Sequence, residues 1–169
     1  MRAGKSGIKL ILFYVFAGLA GSAPAFAYTV SFIVIETGLV PDGPKTAASV
    51  LWEDGLMDVF FNAGHIVSNA RTLRIDREPP KDFPDEVSGD FDEAGDGGMD
   101  FFVMVLLDYQ SGGEISHGAA VKPREVLLRV FRVVPYQKVY EKRYSNLTGD
   151  ESVRAKNAAR AIFPHLRDI

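Results

Sequence analysis

Apolar and polar positions repeat with two different periods along this chain, and the changes of period mark out its elements. In residues 48–67, ASVLWEDGLMDVFFNAGHIV, the side chains of Leu51, Trp52, Leu56, Val59, Phe60 and Ala63 recur at three- and four-residue steps. They therefore share one face of a helix. Glu53, Asp54, Asp58 and Asn62 fall largely on the other side, with Glu53 and Asp54 placed early, where a helix dipole favours negative charge. Gly64 ends the helix, because only glycine enters the left-handed conformation there without steric cost. His65, Ile66 and Val67 then begin an extended run, expected to reach about Asn69 and to resume, after a break, over 71–75. A helix delivered straight into a strand predicts an α/β unit.

The remaining periods fill in the rest. Residues 28–36, YTVSFIVIE, are β-branched and aromatic and read as a first strand, apolar at its centre as a strand covered on both faces should be. Two prolines and two glycines over 38–45 make a loop. After Pro79-Pro80, the residues Phe83, Val87, Phe91 and Ala94 step by four, four and three and predict a short helix, which Gly97-Gly98 can close. Residues 99–109, MDFFVMVLLDY, are the most hydrophobic part of the chain beyond its N-terminus and predict a central strand. Residues 125–134 put Leu127, Arg129, Phe131 and Val133 on one side and Val126, Leu128, Val130 and Arg132 on the other. With 137–144 they predict a twisted hairpin. Thr148 and Glu151 have the spacing of a capping box, opening a last helix whose face is Val153, Asn157, Ala161 and Ile162 and which Pro164 ends or kinks near Phe163. The fold class expected is α/β (α+β): a two-layer sandwich of a mixed sheet of about five strands with two main helices and one short helix.

Length suits one domain, but the first residues stand apart. Arg2, Lys5 and Lys9 precede an uncharged apolar run over 10–19, and Ala25-Phe26-Ala27 is a small-x-small cleavage signal. This is the three-part layout of a secretory signal peptide. It predicts a leader over 1–27, cleavage after Ala27, a single domain over 28–169, a periplasmic or secreted location, and no membrane span once the leader is gone. The alternative is retention of the segment as an anchor. The chain has no cysteine, so no disulfide supports the domain and its apolar core must. Residues 28–100 hold fifteen acids and five bases, and 101–169 seven acids and eleven bases. That dipolar distribution argues against nucleic-acid binding, which needs a strongly basic domain.

Chemistry-bearing patterns are weak. Residues 82–100 carry eight acids and no base, and 90–95 faintly resemble a calcium loop. Ala94 and Phe101 stand where that loop needs oxygen ligands, so a solvated acidic helix is the plainer reading and a weak calcium site the lesser one. His65, His117 and His165 have no metal-ligand spacing; His65 is expected to be a structural hydrogen-bonding residue. Ser111 and Ser116 lack the nucleophile-elbow pattern, and the glycines at 95–98 precede a strand rather than a helix. No catalytic residue, metal ligand or cofactor is assigned. Arg129, Arg132, Lys138, Lys142 and Arg143, interleaved with Tyr136, Tyr140 and Tyr144, form a candidate docking face on the hairpin. The same residues also read as an edge protected from aggregation by charge. Asn146-Leu147-Thr148 matches a glycosylation sequon, but the cap explains the threonine.

The strand VSFIVIE, the unit LWEDGLMDVFFNAGHIV, the strand GGMDFFVMVLLDY, the hairpin VLLRVFRVVPYQKVYEKRY and the closing helix DESVRAKNAARAIF together have an element order that resembles the N-terminal-domain fold of TolB and the related core of CsgG-type envelope proteins. The chain departs from that pattern at Val105-Leu106, where the family has a glycine, and in a longer loop over 71–83. The resemblance implies a periplasmic, non-enzymatic domain that binds other envelope proteins. The function expected is thus envelope assembly or maintenance, with envelope proteins or an anionic cell-wall polymer as partners; the alternative is a secreted carboxylate-based hydrolase.

Overall fold

The structure, a computed structural model, describes residues 27–40, 43–75, 85–109 and 121–167. The leader expected over 1–27, but for Ala27, lies outside them, as do Pro79-Pro80, Phe83, Ser111, Ser116 and His117. In chain order the elements are β1 (Thr29–Thr37), α1 (Ala47–Asn62), β2 (Ile66–Asn69), β3 (Leu73–Ile75), a 3-10 turn (Asp85–Val87), α2 (Ser88–Asp96), β4 (Phe101–Asp108), β5 (Glu125–Arg132), β6 (Gln137–Tyr144) and α3 (Glu151–Arg167). The strands form one mixed sheet in the order β2-β1-β4-β5-β6. β3 pairs with β1 beyond β2, so the two short strands are halves of one broken edge, and the sheet has six strands by count rather than about five. β2, β3 and β4 run parallel to β1, and β4-β5 and β5-β6 are antiparallel.

Both faces of the central strands are buried, which explains their near-continuous apolar runs. On one face Val30, Phe32, Val34, Val103, Val105, Leu128 and Val130 pack under α1 and α3. These two layers are the sandwich. On the other face Val87 of the 3-10 turn and Phe91 and Ala94 of α2 pack over Phe102, Met104, Leu127 and Phe131. α2 is a nine-residue helix and covers only part of that face.

Local chemistry fixes where each helix begins and ends. The hydroxyl of Thr46 accepts from the Ser49 backbone N–H and caps α1, and Gly64 leaves it with φ 84°. Because α1 starts at Ala47, no acid lies in its first turn. Glu53 instead accepts from Lys45 Nζ at 2.8 Å and Thr72 Oγ1 at 2.6 Å, tying the helix to the sheet edge. The buried stripe of α1 is Ala48, Ser49, Trp52, Gly55, Leu56, Val59 and Phe60. Ala63 is exposed, being already at the cap. Gly55 is included because α1 crosses α3 there: a Cβ on it would sit 2.7 Å from Ala155 Cβ and 3.3 Å from the Lys156 backbone nitrogen. Trp52, fully buried, donates Nε1–H to Glu151 Oε1 at 2.7 Å and joins the same two helices.

Two expectations for α3 are corrected and a third is narrowed. Asp150, not Thr148, caps it, accepting from the Val153 N–H at 3.1 Å; Gly149, at φ 87°, turns the chain away from Thr148. The buried face is Ala155, Ala158, Ala159, Ile162 and Leu166, while Val153 and Asn157 are exposed. Of the two outcomes expected at Pro164, ending the helix is excluded, because it continues to Arg167. Pro164 and Arg160 lie on the exposed side, where water can take the hydrogen bond that a proline cannot make. His65 accepts from the Tyr28 backbone N–H at 3.1 Å and packs among Tyr28, Phe60 and Phe163.

Candidate functional site

β1 and β4 lie side by side and parallel, but the chain leaves β1 toward β2 and leaves β4 toward β5. Such a divergence beyond the carboxyl ends of strands is where open α/β sheets place their ligands. Here the position is filled by a clasp. Glu36, with no exposed surface, accepts from the Thr46 backbone N–H at 2.9 Å and from the Ser49 hydroxyl through one oxygen, and from Arg74 Nε at 2.6 Å through the other. Arg74 also donates to the carbonyls of Val40 and Pro44. Its guanidinium lies against Gly43, where a Cβ would collide with it. Burial pushes the Glu36 carboxyl up, but hydrogen bonds from Ser49, Thr46 and Arg74 outweigh it and hold the group below its ordinary value. The Tyr109 hydroxyl meets Thr46 Oγ1 at 2.7 Å, and burial holds the phenol far above its usual range. Each of these groups is engaged by another, so they fix the entry into α1 and the position of β3 and present neither a free base nor a ready nucleophile.

The hairpin does form, but it does not gather the candidate docking residues on one face. Arg129 is buried on the α2 side, where its Nε and Lys138 Nζ both donate to Glu141 Oε2 at 2.9 Å. Lys138 above all, with Arg129, keeps the Glu141 carboxyl below its ordinary value. Arg143 pairs with Glu125 on that same side. Tyr140 and Lys142 point to the opposite side: the Tyr140 ring lies 4.6 Å from His165 of α3, and Lys142 Nζ lies 5.0 Å above the Tyr144 ring. Tyr136, in the connection, stacks on Phe131 at 5.8 Å. Arg132 borders a cavity of about 260 Å³ with Tyr28, Asp100 and Leu166. Glu125 and Glu141 are the residues that absorb much of this basic charge, and neither stands out by type or spacing.

The larger concavity lies at the other end of the sheet. A groove of about 1050 Å³ runs between β2 and α2, with Ser31 of β1 in its floor, Ser68 and Asn69 on one wall, and Glu86, Asp90 and Glu93 on the other. The sequence carries a signal for it. Glu86, Asp90 and Glu93 step by four and three, one position ahead of the apolar stripe Val87, Phe91 and Ala94, so they border the face that packs on the sheet. Among the described residues these three carboxylates have no ion-pair partner, and no three metal-ligating side chains converge anywhere. No helix among the described residues is long and apolar enough to cross a membrane.

No known protein family and no curated protein matches the chain significantly. Among solved structures it is similar to TolB from Acinetobacter baumannii, with TM-score 0.48 and 11% identity over 88% of this chain and 30% of TolB. It is also similar to the PelC dodecamer from Paraburkholderia phytofirmans, with TM-score 0.43 and 13% identity over 86% of this chain and 93% of that one. The third is the competence damage-inducible protein A (ComA) from Klebsiella pneumoniae subsp. pneumoniae, with TM-score 0.40 and 11% identity over 94% and 92%. The chain thus spans 30% of the length of the TolB structure. These weak likenesses concern the arrangement of strands and helices, and no function is argued from them. The TolB-like element order has its counterpart among them; the CsgG-type core finds no support.

Proposed function

We propose that this chain is an exported, non-enzymatic domain that binds other proteins in assembly or maintenance of the cell envelope. The observation that carries the reading is the edge formed by β2 and β3, beyond which no strand lies among the described residues, beside a groove of about 1050 Å³. An edge strand offers unpaired backbone groups to a partner, and partners are recognised that way by strand addition. The clasp around Glu36 supports the non-enzymatic part, because the usual ligand position is occupied by groups that hold one another. Export rests on the basic, apolar and small-residue layout of the first 27 residues. The divided hairpin cations favour a protein partner over an anionic polymer, since Arg129, Lys138 and Arg143 already face carboxylates.

The test is photo-crosslinking in intact cells of its natural host. A crosslinker replaces Ser68 in the groove or, as a control, Val153 on the exposed side of α3. The expected result is an adduct with an envelope protein at position 68, absent at 153, on a chain whose N-terminus is Tyr28. A chain retained in the cytoplasm with its leader intact, or equal labelling at both positions, removes the reading.

A further inference from the structure

Ile66 and Ala70 give their backbone N–H groups to Tyr28 and Phe32 of β1, at 2.9 and 2.8 Å. In a parallel pair successive residues alternate in direction, so the backbone groups of Val67 and Asn69 face away from the sheet. Among the described residues no strand lies beyond them. A segment laid along this edge would project every second side chain to the α2 side, as Ser68 does in register with Ser31. There those side chains would meet Glu86, Asp90 and Glu93, which form no ion pair with a described residue. Among the described residues Arg71 is the one base lining the groove.

We propose, resting on the interaction reading above, that the groove binds an extended protein segment carrying Lys or Arg at alternate positions, added as a strand to the outer edge of β2. Backbone pairing supplies the affinity, and the acidic wall selects the partner's charge and its two-residue phase. A second copy of this chain fits the groove poorly. Of its two edges, β2 (Ile66–Asn69) carries no base, and β6 places Glu141 on the α2 side between Lys138 and Arg143, cations that already face Glu141 and Glu125.

The probe is a synthetic peptide, Thr-Lys-Thr-Lys-Thr-Lys-Thr, followed by fluorescence anisotropy against the full-length mature protein. Its comparisons are an isomer with the three lysines contiguous and a version N-methylated at alternate residues. The alternating peptide is expected to bind. N-methylation, by removing the inter-strand donors, should weaken it about tenfold or more. The protein carrying Asp90→Lys and Glu93→Lys should bind about tenfold more weakly or worse, and Val67→Pro should abolish strand addition while leaving the ladder to β1 intact. Native fluorescence of Trp52 verifies that each variant is folded. Equal binding of the contiguous isomer would reduce the site to diffuse charge attraction and overturn the proposal; so would indifference to N-methylation. Sedimentation showing that the free protein is already an oligomer, dissolved by Val67→Pro, would assign the edge to a second copy. Absence of peptide binding alongside a persistent envelope adduct at position 68 would refute the basic-strand chemistry and leave the interaction reading standing.

Discussion

At neutral pH the buried carboxylate of Glu36 faces the almost buried guanidinium of Arg74, with the Ser49 hydroxyl and the Thr46 N–H completing its shell. Glu36→Gln keeps the shape and removes the charge, leaving Arg74 enclosed without its counter-ion. Breaking a buried pair in that way is expected to lower unfolding stability by about 3–5 kcal/mol. The pH dependence has a definite sign. The folded carboxyl is held below the ordinary 4.5, so the unfolded chain takes up the proton first as pH falls. The stabilisation is therefore complete above about 4.5 and is lost as pH falls through the lower, folded value. Urea unfolding followed by Trp52 fluorescence should show the gap between wild type and Glu36→Gln closing on acidification below that point. A gap that stays constant to pH 3 would mean that Glu36 is not the titrating group. None of this was legible in residue type. Glu36 reads only as the last residue of an apolar strand, and its partner lies 38 residues away. The structural hydrogen-bonding role of His65 was legible from its place between a helix-ending glycine and a strand; its partner, the backbone N–H of Tyr28 just before β1, was not.

The helices divide in the same manner. The stripe of α1 could be read because Trp52, Leu56, Val59 and Phe60 are large and widely spaced among polar residues. That of α3 could not, because its buried residues are mostly alanines, and Ala158, Ala159 and Ala161 fit several helical faces equally. What selects among them is the crossing with α1, where Gly55 admits Ala155. Two glycine substitutions with the same local chemistry should then part in sign. Gly55→Ala gains about 1 kcal/mol of helix propensity, but it forces backbone and a short side chain apart, and overpacking of that kind costs about 1–3 kcal/mol. The net expected is a loss. Gly89 of α2 meets nothing within 4 Å, so Gly89→Ala should raise stability by up to about 1 kcal/mol. Thermal unfolding of the two variants decides it: a Gly55→Ala protein as stable as Gly89→Ala would show that α1 and α3 do not approach closely at Gly55.

Across the whole molecule, the order of elements was legible because the change of hydrophobic period marks each element in turn; which strands lie at the edges was not, because that depends on the lateral order β2-β1-β4-β5-β6. The two outermost strands differ in kind. β2 and β3 are short and interrupted, and the acidic groove lies beside β2 on the α2 face of the sheet. β6 is eight residues long and bears Lys138, Glu141, Lys142 and Arg143. A long edge strand is a template for pairing with other chains unless charge opposes it. The ion pairs of Lys138 and Arg143 lie at the surface, where such pairs contribute about 0–1 kcal/mol each. Their main effect is then to keep β6 single rather than to hold it folded. Replacing Lys138, Lys142 and Arg143 together by Thr, a good strand former, separates these two effects. The melting temperature should move by no more than about 5 °C, while sedimentation velocity should reveal concentration-dependent association stronger than that of wild type. If the triple variant instead unfolds and stays monomeric, the cations hold the hairpin to the sheet, and protection of the β6 edge must come from Tyr140 packing on His165 of α3.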